Sequence, residues 1–353
     1  MWIDSAVFKE DMEYIASVPF IPWEKLKRKT ILITGATGLI GHYLTNSLIY
    51  RNIYHGDGIN ILLLVRNIEK AEIMYEKRLP ADGEHIHFIK GSMEEFSGIN
   101  GGMDYIVHAA SPTNSEFFVQ HPVETVQSIV HGTEKVLHLA REKQVLGCVY
   151  LSSMEVYGAN LNSEKIAENH GSNLDTMSVR SSYPEAKRLC ENLCADYAYQ
   201  YHVPICVLRL AQTFGPGIQR DDKRIFAQLM NAYLNSEDIV LLTDGKSSRS
   251  YIYLADAVTA ILTVLLSGKT GNAYNAANES TYCSILDLAK LVAEKIAKNR
   301  IGIVWKNEGG EGTIQFPPPH MLNLDTRKLH ELHWTAHTGL ENMFLRTIET
   351  LNE

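Results

Sequence analysis

The segment TILITGATGLIG at 30–41 constrains this chain more than any other. A β-branched apolar run breaks directly into three glycines, Gly35, Gly38 and Gly41, spaced G-x-x-G-x-x-G. That order reads as buried strand, tight turn and helix start. Glycine is required where the backbone turns sharply and lets a pyrophosphate approach. The helix N-terminus behind it supplies N–H groups and a partial positive charge. With Thr37, Leu39 and Ile40 completing the turn, a dinucleotide is the expected ligand, NAD in the first instance. The helix is expected from His42 to about Tyr54. The second strand ends in Val65-Arg66-Asn67, where an acidic residue would bond the ribose 2′-hydroxyl of NAD. Arg66 suits a 2′-phosphate or an adenine face, which keeps NADP open beside NAD.

Apolar runs recur along the chain: INILLLV (59–65), HIHFIKG (85–91), DYIVHAA (104–110), GCVYLSS (147–153) and PICVLRL (204–210). Strands apolar on both faces belong to parallel sheets. Helical stretches such as 121–143 and 184–202 separate them. The expected fold class is therefore α/β, a Rossmann doubly wound parallel sheet with a smaller C-terminal substrate-binding lobe. Residues 1–28 form an N-terminal extension with a short helix over 5–18. The NAD(P)-binding domain is expected over 29–211. Past it come the loop TFGPG, a helix at 224–235, a strand at 239–242 and YIYLADAVTAILTVLLSG, a strand end followed by a helix. NAYNAAN (272–278) returns a strand to the first sheet, and 284–298 is an amphipathic helix. GGEG and FPPPH then bracket a loop before the final helices, so 212–353 is mainly the substrate lobe.

A net charge of −8 argues against nucleic acid, whose binding needs a basic face. The five cysteines are odd in number and lack a CxxC pair, so free thiols in a reducing cytoplasm are expected. His85/His87 and His330/His333 lack metal-ligand spacing, and no metal is expected. The acidic N-terminus and the lack of a long apolar run speak against a signal peptide or a membrane span. A cytoplasmic enzyme is the expectation.

Tyr183 and Lys187 stand four apart, on one helix face. Pro184 is tolerable in a first helical turn. A phenol titrates at about 10 and is a poor base at neutral pH. A nearby ammonium favours the phenolate, and bringing it to neutrality takes on the order of 4 kcal/mol. The tyrosinate then removes a hydroxyl proton as hydride leaves, with Ser153 at its strand end aligning the same hydroxyl.

GATGLIG, HAAS (108–111), SSMEVYG and YPEAK occur in an order and at distances that resemble the extended short-chain dehydrogenase/reductase family. Within it they resemble the NAD-dependent epimerase/dehydratase branch. RLAQTFGPG (209–217) and SRSYIYLADAV (248–258) are similar to its sugar-nucleotide half. UDP-glucuronate decarboxylases carry segments like ASP (110–112), EVYG (155–158) and Arg180 three before Tyr183. The resemblance implies cofactor contacts from Ala109, Ala110, Ser111, Tyr183 and Lys187. It implies substrate contacts from Arg180, Gln212, Arg224 and Arg249, the last on the nucleotide diphosphate. It also implies a nucleotide-sugar substrate, hydride abstraction from C4, and a homodimer built on helices 121–143 and 184–202. In dTDP-glucose 4,6-dehydratases an Asp-Glu pair follows the Ser/Thr. Here Met154 takes the Asp position and Glu155 the Glu position, and a thioether cannot protonate a leaving hydroxide. Decarboxylation of a 4-keto uronic acid needs no such acid, and Glu155 serves its second step.

The leading expectation is thus a UDP-glucuronate decarboxylase-like enzyme, with 4,6-dehydratase or 4-epimerase next. An NADPH-dependent carbonyl reductase, favoured by Arg66, is the alternative from another class. A non-catalytic dinucleotide-binding protein is disfavoured by Ser153, Tyr183 and Lys187 occurring together.

Overall fold

The structure, a computed structural model, describes residues 2–76, 83–92, 99, 101–112, 115–306 and 319–352. Most of the loop expected between GGEG and FPPPH, residues 307–318, lies outside them.

The central sheet takes β1 (Thr30–Thr34), β2 (Asn60–Val65), β3 (Ile86–Lys90), β4 (Tyr105–His108), β5 (Gly147–Ser153) and β6 (Ile205–Leu210). The chain then lays down β7 (Gln212–Phe214), β8 (Ile239–Leu241) and β9 (Ser248–Tyr253) outside it before returning with β10 (Ala273–Ala276). The order is β10-β6-β5-β4-β1-β2-β3, with every neighbouring pair parallel. Sequence order reverses at β1, between β4 and β2. Open α/β sheets bind ligands at such a switch point, beyond the carboxyl ends of the strands. Helices Pro122–Glu142 and Ser182–Tyr201 pack on one face. Helices Leu39–His55 and Leu254–Ser267 cover the other. A second sheet joins β9 to β11 (Asn278–Ser284), β13 (Met321–Leu322) and β7. A small pair joins β8 to β12 (Ile303–Trp305).

Two elements differ from expectation for visible reasons. The first helix starts at Leu39, a turn earlier than expected, because Gly38 is its N-cap and Gly41 lies inside its first turn. Within the expected 284–298 helix, Ile285–Lys290 is α-helical, opened by a Ser284–Asp287 capping box. Leu291–Ile296 is π-helical.

Helix Ala6–Ser17 is capped by Ser5, whose hydroxyl accepts from Phe8 N at 3.1 Å. Its Val7, Phe8, Met12 and Ile15 enter the main core. Asp11, 4% exposed, ties distant parts together. Its Oδ2 accepts from the Tyr43 and Tyr253 hydroxyls, the latter at 2.6 Å, and its Oδ1 accepts from Arg346 Nη2 at 2.8 Å. Replacing Asp11 with Ala removes the acceptor shared by two buried phenols and one of the two carboxylates on Arg346, which keeps Glu10 and the Val7 carbonyl. The expected loss is about 2–4 kcal/mol of unfolding free energy, read from the urea midpoint.

Candidate active site

The glycine turn is held by close backbone approach. Gly35 has φ +71°, and a Cβ there would sit 2.8 Å from the Ala109 carbonyl and Ala110 N. A Cβ on Gly41 would stand 2.2 Å from Gly35 O. Gly38 N donates to Gly35 O at 3.0 Å, and His42 N to Gly38 O at 2.8 Å. The turn is therefore packed tightly against the carboxyl ends of β1 and β4, closer than a side chain at Gly35 or Gly41 would allow. A tight glycine turn at a helix N-terminus is the kind of cradle that suits a dinucleotide pyrophosphate.

Below the turn runs a buried chain of hydrogen bonds. Ala110 N donates to Thr34 Oγ1 at 3.2 Å, and Thr34 Oγ1 lies 2.8 Å from His108 Nδ1. His108 Nε2 is 3.2 Å from Thr133 Oγ1, which donates to Ile129 O at 2.8 Å. Burial pulls His108 down to about 3, with the Lys187 charge adding to the effect, so the ring is neutral. The chain closes when Thr34 donates to Nδ1 and Nε2–H donates to Thr133. Thr37 and Gly38 are exposed, while Leu39, Ile40, Ala109, Ala110 and Ser111 line the mouth half-buried. Arg66 is exposed just past β2.

Tyr183 lies in the first turn of helix Ser182–Tyr201, its ring stacked on Phe118 at 4.4 Å and 6°. The Ser153 hydroxyl stands on the Tyr183 phenol side and acts to lower its titration. Ser153 Oγ also accepts from Glu155 N at 3.2 Å, capping the 3-10 turn Met154–Tyr157. Lys187 is 3% exposed; its Nζ donates to Leu151 O at 2.8 Å and lies 4.7 Å over the Tyr150 ring. Burial pulls Lys187 down to about 8. The phenolate expected at Tyr183 rests on a cationic nicotinamide as well as on the ammonium, and the protein without that ring holds the phenol protonated. Burial, and then the Glu155 carboxylate, push the phenol above its ordinary value, outweighing Ser153 and Arg180. Lys187 sits 5.9 Å from the ring centroid with one donor spent on Leu151.

Charged groups gather beyond the tyrosine. Arg180 Nη2 is 3.7 Å from Glu155 Oε2. The buried Nε of Arg249, on β9, finds no acceptor among the described residues. His320 was not singled out by sequence; its ring is pulled down by burial and by Arg249 and Arg180, while Glu155 opposes. Ser248 N donates to His320 O at 2.8 Å, and Met321 N to Asn160 O at 2.7 Å, which brings this strand against both β9 and the loop after Tyr157. Gln212 opens β7 opposite Tyr251. Arg224 is the N-cap residue of helix Ile225–Asn235. Its guanidinium is committed to Asp222, with Nη2 to Oδ2 at 2.5 Å, and lies over Phe226. Among the described residues no group of three His, Cys, Asp or Glu is placed to hold a metal.

The model of the NAD dependent epimerase/dehydratase family matches residues 31–277. The chain belongs to this family. It is 29% identical over 316 residues to UDP-glucuronic acid decarboxylase 4 of Arabidopsis thaliana, covering 87% of this chain and 65% of that protein. The chain thus spans just under two thirds of the length of that relative. It is 24% identical to the dTDP-D-glucose 4,6-dehydratase of Homo sapiens, covering 92% of this chain and 90% of that one. In fold the family member matches a UDP-glucose 4-epimerase of Thermotoga maritima, at TM-score 0.73 and 21% identity, over 92% of this chain and 98% of that one. A Bacillus cereus UDP-glucuronic acid 4-epimerase, in complex with UDP-glucuronic acid and NAD, matches at TM-score 0.72 and 18% identity, over 92% of this chain and 99% of that one. Among the described residues no helix is long and apolar enough to cross a membrane.

Proposed function

We propose that this family member oxidises C4 of a nucleotide-linked uronic acid with bound NAD and releases its carboxyl group, as a UDP-glucuronate decarboxylase does. The observation that carries the reading is the arrangement at the end of β5. Ser153 stands beside the Tyr183 phenol and favours its ionisation, Glu155 is paired with Arg180, and between them in sequence Met154 is buried, at 4% exposure. No acid flanks Ser153 to expel a hydroxide, so dehydration lacks its proton donor while decarboxylation lacks nothing.

NAD held at the turn of Gly35, Gly38 and Gly41 would supply the hydride acceptor and return the same hydride, and its cationic ring would offset the burial that holds Tyr183 protonated. Tyr183 takes the O4 proton, with Ser153 aligning the hydroxyl. The resulting C4 ketone stands β to the carboxylate on C5. The C5–C6 bond breaks, CO2 leaves, and the electron pair passes to the C4 oxygen, where Ser153 and Tyr183 donate hydrogen bonds. C5 then takes a proton from solvent water, the one proton the net reaction consumes, and O4 recovers its proton from Tyr183 as C4 is reduced. Glu155 and Arg180 orient the sugar carboxylate and the C5 proton transfer. Arg249, with an unspent Nε, meets the diphosphate. Arg249→Met is expected to raise KM for the nucleotide sugar about 10- to 100-fold with kcat little changed, in initial-rate kinetics.

NAD, rather than NADP, is the assigned cofactor, with Arg66 as a neighbour of adenine. The same reading has the protein act as a homodimer through helices Pro122–Glu142 and Ser182–Tyr201. Val123, Leu189 and Tyr199 are exposed on them. The deciding experiment offers purified protein UDP-glucuronate and dTDP-glucose without added cofactor and follows products by mass spectrometry. Loss of CO2 from UDP-glucuronate is expected. Loss of water from dTDP-glucose, or turnover only with added NADPH, overturns the reading.

A further inference from the structure

We propose that Glu191 is a positioning residue for this chemistry. It clamps the helix bearing Tyr183 and Lys187 to the strand end bearing Ser153, and it holds Lys187 in its charged form. The proposal rests on the reading of those three residues as the reacting groups.

Glu191 lies one turn beyond Lys187 and two beyond Tyr183 on helix Ser182–Tyr201. Beneath it, Ser152 of β5 is in register with Arg209 of β6, and Ser153 is the next residue along. Ser152 Oγ donates to Glu191 Oε1 at 2.5 Å. Arg209 Nε donates to both carboxylate oxygens at 3.0 and 3.1 Å, and Nη2 to Oε2 at 2.6 Å. The clamp continues outward. Arg209 Nη1 donates to the Tyr157 hydroxyl at 2.8 Å, and Tyr157 donates to Asn275 Oδ1 of β10 at 2.6 Å. The strand end, the turn carrying Glu155 and the sheet edge are therefore fastened to one carboxylate.

Stability alone does not explain a charged pair here. The side chains of Arg209 and Glu191 are 13% and 11% exposed, and an apolar pair of similar volume holds a helix on a sheet as well or better. What an apolar pair lacks is charge. Lys187 faces Tyr150 from β5 and the neutral ring of His108 from β4, with Tyr183, Cys190 and Cys194 on its own helix. Burial pushes both thiols up, so they stay uncharged at neutral pH. Glu191 is the anion in this set, and it opposes the burial that pulls Lys187 down to about 8. Arg209 fixes that anion in place and tempers its field.

Glu191→Gln and the neutral pair Glu191→Gln/Arg209→Met test the proposal in the full chain. A cavity of about 370 Å³, lined by Arg188, Glu191, Cys194 and Arg209, opens behind the pair, so the changes meet open space rather than closed core. Titration of Lys187 is followed by the NMR signal of its 13C-labelled ε-carbon, assigned by its loss in Lys187→Arg. The kcat–pH profile on UDP-glucuronate is recorded alongside. In Glu191→Gln, which leaves the Arg209 cation uncompensated, the Lys187 midpoint is expected to fall by about one pH unit, and in the double variant by a smaller but resolved amount. The alkaline limb of kcat should fall with it, and KM should hold. An unmoved midpoint in the folded double variant overturns the proposal and leaves the catalytic reading standing. A midpoint that moves while kcat does not strikes at the reading of Lys187 itself and takes the positioning role with it.

Discussion

Tyr183→Phe should lower turnover by about 10³-fold while the enzyme keeps its cofactor. The substitution removes one oxygen and leaves the ring on Phe118, so neither the helix nor the glycine turn loses a packing contact. What disappears is the group that exchanges a proton with O4. Ser153 remains, yet its hydroxyl cannot replace a phenol, because at neutral pH it offers no accessible anion. The variant should also fail to accumulate a 4-keto sugar, since the first C–H cleavage is the step that needs the base. Single-turnover experiments with purified enzyme, together with the NAD content after denaturation, give both readouts. A variant turning over at near the wild-type rate would remove Tyr183 from the mechanism.

Gly41→Ala should abolish NAD retention. Its added methyl would stand 2.2 Å from Gly35 O, 2.8 Å from Gly35 C and 2.9 Å from Ala36 Cα, all backbone atoms that cannot swing aside. The first turn of helix Leu39–His55 must then move away from β1, and the donors aimed at the pyrophosphate move with it. Overpacking of this kind costs about 1–3 kcal/mol or more of stability as well. Gly56→Ala is the control. Gly41 lies inside the helix, so its penalty is the clash, whereas Gly56, the C-cap of the same helix, has φ +66° and apart from its chain neighbours meets nothing within 4 Å of its would-be Cβ. It should show the backbone strain without the loss of NAD, as read by calorimetric titration and thermal melting. If Gly41→Ala binds NAD normally, the turn is not the cofactor cradle.

The sheet was legible because runs such as ILLLV (61–65) are apolar at every position, a pattern that fits a strand covered on both faces. The glycine turn was legible through its spacing, although the helix start was not, since Gly38 and Gly41 masked a turn of helix. Tyr183, Lys187 and Ser153 were found by motif, and the structure brings them together. The direction in which Tyr183 is shifted was not readable. It depends on how much water the fold excludes, and no local spacing encodes that. The pairing of Arg224 with Asp222, only two residues away in a loop without periodicity, was not readable in advance. His320 carried no signal, as a lone histidine after a run of prolines meets Arg249 only through the pairing of β13 with β9. Glu191 and Arg209 stayed invisible for the same reason, being neighbours only across the helix–sheet interface.

Helix Ala6–Ser17 has a consequence for how the fold closes. Asp11 meets Arg346 across 335 positions of sequence and Tyr253 across 242. Contacts of such separation carry a large loop-closure entropy and reward the chain only once most of it is in place. Without helix Leu340–Asn352 the Asp11 carboxylate has no guanidinium, so a chain cut short before Leu340 should be cleaved by protease within Ala6–Ser17 while the full chain resists. The one helix works as a latch that the other closes.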